Sequence, residues 1–193
     1  MRSLWDRASA KKGADGTRLR GRNGDGIAMS KNGADVADHV RNAIYRATIF
    51  LDDQRWDDWL GLCDEDFHYS IKSFSPEINK DMTYLQGSRG DMANLIRLLP
   101  KHNTDHSLLR RHTSVYTIDL SDDGKQATAI SAFVVYQNML DGVNSHLDAG
   151  ESHLFLVGKY YDTFAIKDGA PKFIKREVRI DERRLDKGSH WPI

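Results

Sequence analysis

Cysteine is nearly absent from this sequence of 193 residues, which contains a single one, Cys63. One thiol cannot form a disulfide within the chain, and it cannot build a cysteine-ligated zinc or iron–sulfur site. A lone thiol is typical of a reducing compartment, so we expect a cytoplasmic protein. The chain also lacks an excess of either charge, since 28 Lys and Arg balance 28 Asp and Glu. This balance gives no reason to expect a nucleic acid or a membrane as partner.

Long apolar runs and the common nucleotide-binding and nucleophile motifs are also missing. No stretch approaches the roughly 20 apolar residues that a membrane span requires. There is no glycine-rich phosphate loop, and no G-x-S-x-G sequence that would place a nucleophilic serine on a tight turn. The sequence therefore offers no nucleotide site and no hydrolase motif.

The beginning of the chain differs from the rest. The first 28 residues contain seven Lys or Arg against three Asp and are rich in glycine. We expect residues 1–33 to form a disordered basic tail, and residues 34–193 to form a single domain. Met29 is a second candidate start, so residues 1–28 need not belong to the native protein.

The N-terminal half of this domain has the periodicity of helices. Apolar residues recur at steps of three and four in one stripe, at Val36, Val40, Ala43, Ile44, Ala47 and Leu51. A short second helix is predicted from Trp56 to Cys63, and a third over residues 91–99, which Pro100 should end. Residues 67–71 read as a strand, whereas residues 73–87 read as irregular.

The second half has the alternation of strands. Four β segments, over residues 110–120, 126–140, 152–166 and 173–185, are separated by turn sequences that contain Asp-Gly. Helices followed by strands predict an α+β fold, with the helices on one face of a curved antiparallel sheet.

Acid–base catalysis is one possible use of such a fold. The candidate side chains are Asp52, Asp53, Asp57, Asp58, Asp66 and His68. Burial in a cavity could shift their pKa values to suit proton transfer. The alternative is that the carboxylates are solvated flanks of helices, which is where charged side chains usually lie.

Two histidine clusters could bind a metal. His146 and Asp148, completed by His153 or His190, would supply the two histidines and one carboxylate that suit ferrous iron. His102, His106 and His112, with Asp105, form the second cluster. Both clusters fall in polar segments that also read as ordinary loops.

Arg176 and Cys63 are predicted to be structural. Arg176 shares a strand face with apolar residues, so its guanidinium needs a partner, and Asp162, Glu151 or a neighbour of Glu177 could provide it. Cys63 falls on the apolar side of the second helix and reads as a small core residue.

Four motifs, in order, resemble the small (β) subunits of Rieske-type ring-hydroxylating oxygenases. They are YRATIFLDDQRWDDWLGLCDEDFHYSI, DMTYLQGSRGDM, RRHTSVYTIDL and REVRIDERRL, and together they extend from about Val36 to Leu185. The residues that carry the first match are Leu51, Asp52, Trp56, Asp57, Trp59, Leu60, Leu62, Asp66 and Tyr69. Those of the last two are Arg111, His112, Arg176, Val178 and Asp181. Three further stretches, SFSPEINKDMTYL, LLPKHNTDHS and GSHWPI, resemble more closely the small subunits of methanesulfonate-type monooxygenases.

The resemblance implies a cystatin-like or SnoaL-like cone and a non-catalytic role. It implies a large α subunit as partner, in a hetero-hexamer of three α and three β subunits. The Rieske [2Fe-2S] cluster and the mononuclear Fe(II), supplied with electrons from NAD(P)H, are then expected in the α subunit. No catalytic, cofactor-binding or metal-ligating residue is expected in this chain, whose one cysteine cannot hold a Rieske centre. The substrate stays open between an aromatic compound and a C1 sulfonate.

Two other functions remain as hypotheses. One is a self-standing SnoaL-like isomerase or dehydratase that uses Asp66 or His68 with His112. The other is a self-contained iron oxygenase that uses His146, Asp148 and His190.

Overall fold

The computed structural model describes residues 31–102, 107–140, 149–182 and 191–193. The helices are α1 (Lys31–Asp52), α2 (Trp56–Gly61) and α3 (Arg89–His102). The strands are β1 (Cys63–Ser75), β2 (Lys80–Ser88), β3 (Leu108–Leu120), β4 (Gln126–Asn138), β5 (Ser152–Lys167) and β6 (Ala170–Ile180). No helix within these ranges is both long and apolar enough to cross a bilayer.

The strands form one mixed sheet in the order β2-β1-β6-β5-β4-β3. Strands β3 to β6 form the predicted antiparallel meander, and β1 joins it by pairing parallel to β6. Helix α1 packs mainly on β3, and α3 packs on β1 and β2. The α+β prediction is therefore confirmed.

Helix α1 buries the predicted apolar stripe against the inner face of the sheet. Val40, Ile44 and Ala47 are fully buried, and Phe50 extends the stripe. The helix begins at Lys31, a few residues before the stripe. The tail predicted for residues 1–33 lies, up to residue 30, outside the described residues.

Residues 73–87 are not irregular, and this prediction was wrong. They complete β1, turn through residues 76–79, and return as β2, which pairs antiparallel with β1. Strand β2 lies at the edge of the sheet, and its side chains are exposed or half-buried. It therefore lacks the sharp alternation of buried and exposed residues by which strands are recognised.

Helix α3 differs from its prediction at both ends. Ser88 caps it, since Ser88 Oγ accepts from the Asp91 amide at 3.2 Å and Asp91 Oδ2 accepts from the Ser88 amide at 2.8 Å. The helix continues to His102 with Pro100 inside it. Pro100 lies in the last turn, so its missing N–H affects the end of the helix and does not stop it earlier.

The Asp-Gly turn between β5 and β6 is as predicted. Asp168 and Gly169 have φ angles of 52° and 76°, and they join the paired residues Lys167 and Ala170. Positive φ at both central residues is the requirement of a tight hairpin turn that matches the twist of the strands.

Candidate functional site

The inner face of the sheet and the helices enclose an interior rich in aromatic side chains. Tyr69 and Phe67 pack edge-on against Trp59, and Tyr160 stacks on Phe133 with ring centroids 4.3 Å apart. All five side chains are at most 2% exposed.

Arg176 forms the ion pair that the sequence required, and Asp162 is its partner. The contact is bidentate, from Arg176 Nε to Asp162 Oδ1 and from Nη2 to Oδ2, both at 2.8 Å. Both side chains are buried, and the guanidinium lies over the rings of Tyr160 and Phe173. Burial alone would lower the pKa of Arg176, but the Asp162 carboxylate outweighs it and raises the pKa. The pair is structural, because both members face each other and not the solvent.

A second arginine–aspartate pair joins the sheet to helix α1. Arg111 Nη1 donates to Asp52 Oδ1 at 2.6 Å, and the Arg111 amide donates to Asp52 Oδ2 at 3.0 Å. Asp52, which was a candidate acid–base residue, is therefore the anchor of α1 on β3.

The segment Trp191–Ile193 fills the interior next to this pair. Arg111 Nη2 donates to the Pro192 carbonyl at 2.9 Å. The Tyr69 hydroxyl accepts from the Ile193 amide at 2.7 Å and donates to the Ile193 carbonyl at 3.1 Å. Ile193 is 1% exposed, and the Trp191 ring lies 5.4 Å from that of Trp56. The polar side chains of the interior thus hold the chain's own backbone.

The other acid–base candidates do not come together in this interior. His68 and Asp66 are exposed on β1, where His68 Nδ1 lies 3.1 Å from the Gly87 carbonyl. His112 is exposed on β3, with its ring edge-on to Tyr136. Three strands lie between β1 and β3, which makes four intervals of about 4.8 Å, so the two strands are about 19 Å apart along the sheet. The proposed pairing of His68 or Asp66 with His112 is therefore excluded by the topology.

The carboxylates of α2 and of the turn before it lie at the surface. Asp53, Asp57 and Asp58 are exposed, and Arg55 Nη2 binds Asp58 Oδ2 at 2.7 Å. Asp57 and Asp58 border an open groove of about 550 Å³, which is lined by Gln54, Arg55, Trp56, Asp57, Asp58, Leu60, Ala93, Ile96 and Arg97. The exposure of these three carboxylates confirms the interpretation that they are solvated flanks of helices.

Most of the predicted metal ligands fall in residues 103–106, 141–148 and 183–190. His106, Asp105, His146, Asp148 and His190 lie outside the described residues, as does the side chain of His102. His153 is exposed, and its Nε2 lies 3.5 Å from Glu151 Oε2. Within the described parts of the chain, no three His, Cys, Asp or Glu side chains are grouped as metal ligands.

Cys63 is buried, as predicted, but it begins strand β1 and does not end a helix. Its Sγ lies 3.5 Å from the Trp59 carbonyl, and burial raises the pKa of the thiol to about 12. A thiol in this state is a poor nucleophile, because the thiolate is the reactive form.

Charges on the outer face of the sheet form a network around Glu177. Its carboxylate binds Lys72 at 3.0 Å and Arg179 at 2.7 Å, and Arg179 also binds Asp81 at 2.7 Å. Burial alone would raise the pKa of Glu177, but the hydrogen bonds from Arg179 and Lys72 lower it to about 2.

Sequence reasoning missed the polar lining of the interior. Tyr69 and Arg111 were identified only as parts of motifs, and Tyr160 was not singled out. Alternation along β5 would have placed Tyr160 and Asp162 on one face with Phe164, which is the same type of signal that identified Arg176.

The SnoaL-like domain family matches residues 34–177 of the chain. A relative from Methylosulfonomonas methylovora, the methanesulfonate monooxygenase hydroxylase subunit β, is 67% identical over 159 residues, which cover 82% of this chain and 88% of that protein. The 2-aminobenzenesulfonate 2,3-dioxygenase subunit β of an Alcaligenes species is 27% identical over 156 residues, or 80% of this chain and 97% of that protein.

A solved structure has the same fold. It is assigned as the β subunit of an aromatic-ring-hydroxylating dioxygenase from Novosphingobium aromaticivorans, with a TM-score of 0.67 and 23% identity, over 81% of this chain and 96% of that one. The chain therefore belongs to the SnoaL-like family and, within it, to the oxygenase β subunits of the methanesulfonate monooxygenase type. The resemblance that the four motifs indicated is confirmed.

Proposed function

We propose that this chain is the non-catalytic small subunit of a Rieske-type oxygenase and that it supports the assembly of a larger, iron-containing α subunit. The identity of 67% to a hydroxylase β subunit carries this proposal. The closed interior supports it, since Tyr69 and Arg111 hold the chain's own backbone. The solvent position of His68 and His112 gives no support to the isomerase or dehydratase hypothesis.

The partner and the cofactors follow from the same proposal. The Rieske [2Fe-2S] cluster and the mononuclear Fe(II) would lie in the α subunit, which would receive electrons from NAD(P)H, and the two subunits would assemble as three α and three β. One cysteine in this chain agrees with that division, because a Rieske centre requires two cysteines and two histidines. A cytoplasmic location fits a complex that depends on NAD(P)H.

The substrate of the assembled complex would be an organosulfonate, and methanesulfonate in particular. The two relatives described above are subunits of oxygenases named for a C1 sulfonate and for an aromatic sulfonate. The higher identity favours the C1 compound, which the small subunit would serve through assembly and not through contacts of its own.

Co-expression with the α subunit tests the proposal. In an assay that supplies O2 and an NAD(P)H-dependent electron donor, the chain purified alone should contain no stoichiometric iron and should not oxidise methanesulfonate. The co-expressed complex should contain iron and should oxidise methanesulfonate in the same assay. Mass photometry should give a mass for three copies of each subunit. Turnover by the isolated chain would refute the non-catalytic role, and normal activity of the α subunit without this chain would refute the assembly role.

The same protein tests the domain organisation. If residues 34–193 are one domain and residues 1–33 a dispensable tail, limited proteolysis should leave a stable fragment that begins near residue 34. A variant lacking residues 1–28 should assemble and support activity as the full chain does. Loss of assembly in that variant would contradict the proposed tail.

A further inference from the structure

Strand β4 carries apolar side chains on both of its faces. Its inward residues line the core, and four successive outward residues are also apolar. These four residues, which we call the outer-face strip, are Ile130, Ala132, Val134 and Tyr136. Tyr136 is 41% exposed, and the other three are half-buried. An antiparallel sheet with water on its outer side normally has polar residues there, so the strip indicates that a partner covers this face.

None of the described helices covers the outer-face strip. Each helix contributes buried side chains to the one core on the inner face, such as Ile44 of α1, Trp59 of α2 and Met92 of α3. The strip residues are not among those that pack against this core. The apolar surface continues onto β5 through Val157 and Leu154, which pair with strip residues. The outer face therefore has an apolar surface that the described parts of the chain leave open.

A row of three cations begins beside the strip and crosses the outer face. Ala132 of the strip pairs with Lys159 of β5. Lys159 pairs with Arg179 of β6, and Arg179 pairs with Lys72 of β1. Lys159, Arg179 and Lys72, which we call the cation row, thus stand directly opposite one another on three adjacent strands. Like charges in this arrangement are destabilising, so an anionic partner would relieve a repulsion that the isolated chain contains.

The carboxylates near the cation row leave its end at the strip without a partner. Glu177 is shared by three cations, and Asp81 binds Arg179 at the other side of the row. Asp181, two residues beyond Arg179, is exposed and forms no ion pair with Lys159. Among the described residues, Lys159 therefore has no carboxylate partner, although it lies directly beside the apolar strip.

We propose that the outer-face strip and the cation row form one docking surface, whose occupant is a segment of the α subunit with apolar side chains next to carboxylates. This inference rests on the proposed assembly with an α subunit and assigns the face of this chain that takes part. Apolar side chains of the segment cover the strip, and a carboxylate pairs with Lys159. A second copy that docked by the same face would bring another cation row to it, which electrostatic complementarity disfavours.

Two variants of the full-length chain, each co-expressed with a tagged α subunit, test this surface. Val134→Asn places an amide in the strip, and Lys159→Glu reverses the charge beside it. Each should lower the amount of chain that co-purifies with the α subunit by at least about fivefold, because an interface centre tolerates neither an unpaired amide nor opposed like charges. A higher NaCl concentration during capture should narrow the difference between Lys159→Glu and the parent, since salt screens charges at a surface.

Matched controls carry the same kinds of change elsewhere on the surface. Ile78→Asn lies in the turn between β1 and β2, where Ile78 is 59% exposed, and Lys125→Glu lies in the turn between β3 and β4. Both should co-purify with the α subunit as the parent does. All four variants, purified alone, should keep the Tm of the parent within about 3 °C, because none of these side chains belongs to the core.

The outcomes separate this surface from the assembly function itself. Equal co-purification of Val134→Asn, Lys159→Glu and their controls would overturn the surface and leave the proposed function intact. Unchanged co-purification, with self-association of the isolated chain lost in both variants by sedimentation velocity, would assign the face to a second copy and also overturn the proposal. Failure of the parent chain to co-purify with the α subunit would overturn both this surface and the assembly role.

Discussion

Arg176 and Glu177 are consecutive residues of β6, yet they belong to two different kinds of charge network. Arg176 points to the inner face and has one carboxylate partner, Asp162, in a bidentate contact with no access to water. Glu177 points to the outer face and shares its carboxylate between Lys72, Lys175 and Arg179. The inner pair is therefore exclusive, and the outer network is redundant.

This difference follows from the solvent on each side of the sheet. A buried charge that loses its partner has no water to replace it, so the inner pair must be complete. On the outer face, the Glu177 carboxylate keeps two cations when a third is lost, and water reaches the network because Lys175 and Arg179 are 52% and 39% exposed. The same sheet can thus combine a rigid interior with an outer face that tolerates change.

The largest expected effect comes from breaking the inner pair. Asp162→Ala should lower the free energy of unfolding by about 3–5 kcal/mol, because it leaves the Arg176 guanidinium buried without its counter-charge. Urea denaturation followed by circular dichroism measures this change. The double variant Arg176→Met, Asp162→Leu should recover much of the loss, and a double variant as unstable as Asp162→Ala would contradict this explanation.

Two leucines of β5 allow the inner and outer faces of the sheet to be compared with uncharged side chains. Leu156 is 1% exposed on the inner face, and Leu154 is 57% exposed. An irregularity between their partners Val135 and Tyr136 places these residues, two positions apart, on opposite faces. Leu156→Ala should therefore cost about 2–5 kcal/mol of unfolding free energy, whereas Leu154→Ala should change it by less than about 0.5 kcal/mol. Equal losses would mean that Leu154 is also enclosed.

Glu177→Gln should weaken the outer network in a pH-dependent way. The pKa of Glu177 is lowered from 4.5 to about 2 in the fold. Its stabilising contribution is therefore fully present above pH 4.5 and is lost as the pH falls toward 2. The variant should be less stable than the parent by about 1.5–3 kcal/mol at pH 7, and this difference should shrink between pH 4.5 and 2.

Urea denaturation at several pH values measures the Glu177 effect. Glu65→Gln, an exposed substitution on β1, is the matched control and should leave the stability curve of the parent unchanged. A stability difference that stays constant down to pH 2 would show that the charge of Glu177 is not its cause.

The smallest effect is expected from adjacent tyrosines on opposite faces. Tyr160→Phe removes a buried hydroxyl that has no partner among the described residues, so stability should be unchanged or rise by up to about 1 kcal/mol. Tyr161→Phe, at a residue that is 38% exposed, should be neutral. Differential scanning calorimetry can resolve this difference. A clear loss of stability in Tyr160→Phe would mean that its hydroxyl is bound.

Much of the fold could be predicted from local patterns. The stripe on α1, the alternation along β3 to β6 and the Asp-Gly turn after β5 depend on residues close in sequence, and they predicted the helices and the meander. Strand β2 was not predicted because it lies at the edge of the sheet, where its side chains do not alternate clearly between buried and exposed. The end of α3 was predicted too early because the sequence does not show that Pro100 lies within the last turn of the helix. These errors concern burial and helix length, which neighbouring residues do not fix.

The candidate site depended far less on local pattern. Arg176 could be recognised as needing a partner, and Asp162 was among the residues considered, because strand alternation predicts which face each side chain occupies. The roles of Tyr69 and Arg111 could not be predicted, since both bind Pro192 or Ile193, more than 80 residues away along the chain.

The sequence by itself determined the α+β class, the apolar stripe of α1, the meander and the need of Arg176 for a buried counter-charge. The first three follow from the spacing of apolar residues, and the last follows from the cost of removing a charge from water, and neither depends on how distant segments pack. The tertiary structure alone decided that three strands lie between the strands of His68 and His112 and that Trp191–Ile193 fills the interior. Both outcomes depend on strand order and on contacts distant in sequence, and many different folds would satisfy the same local patterns. The acid-rich helix α2 and the histidine of β1 look from sequence like the parts of an active site, and only the packing of the sheet placed them at the surface.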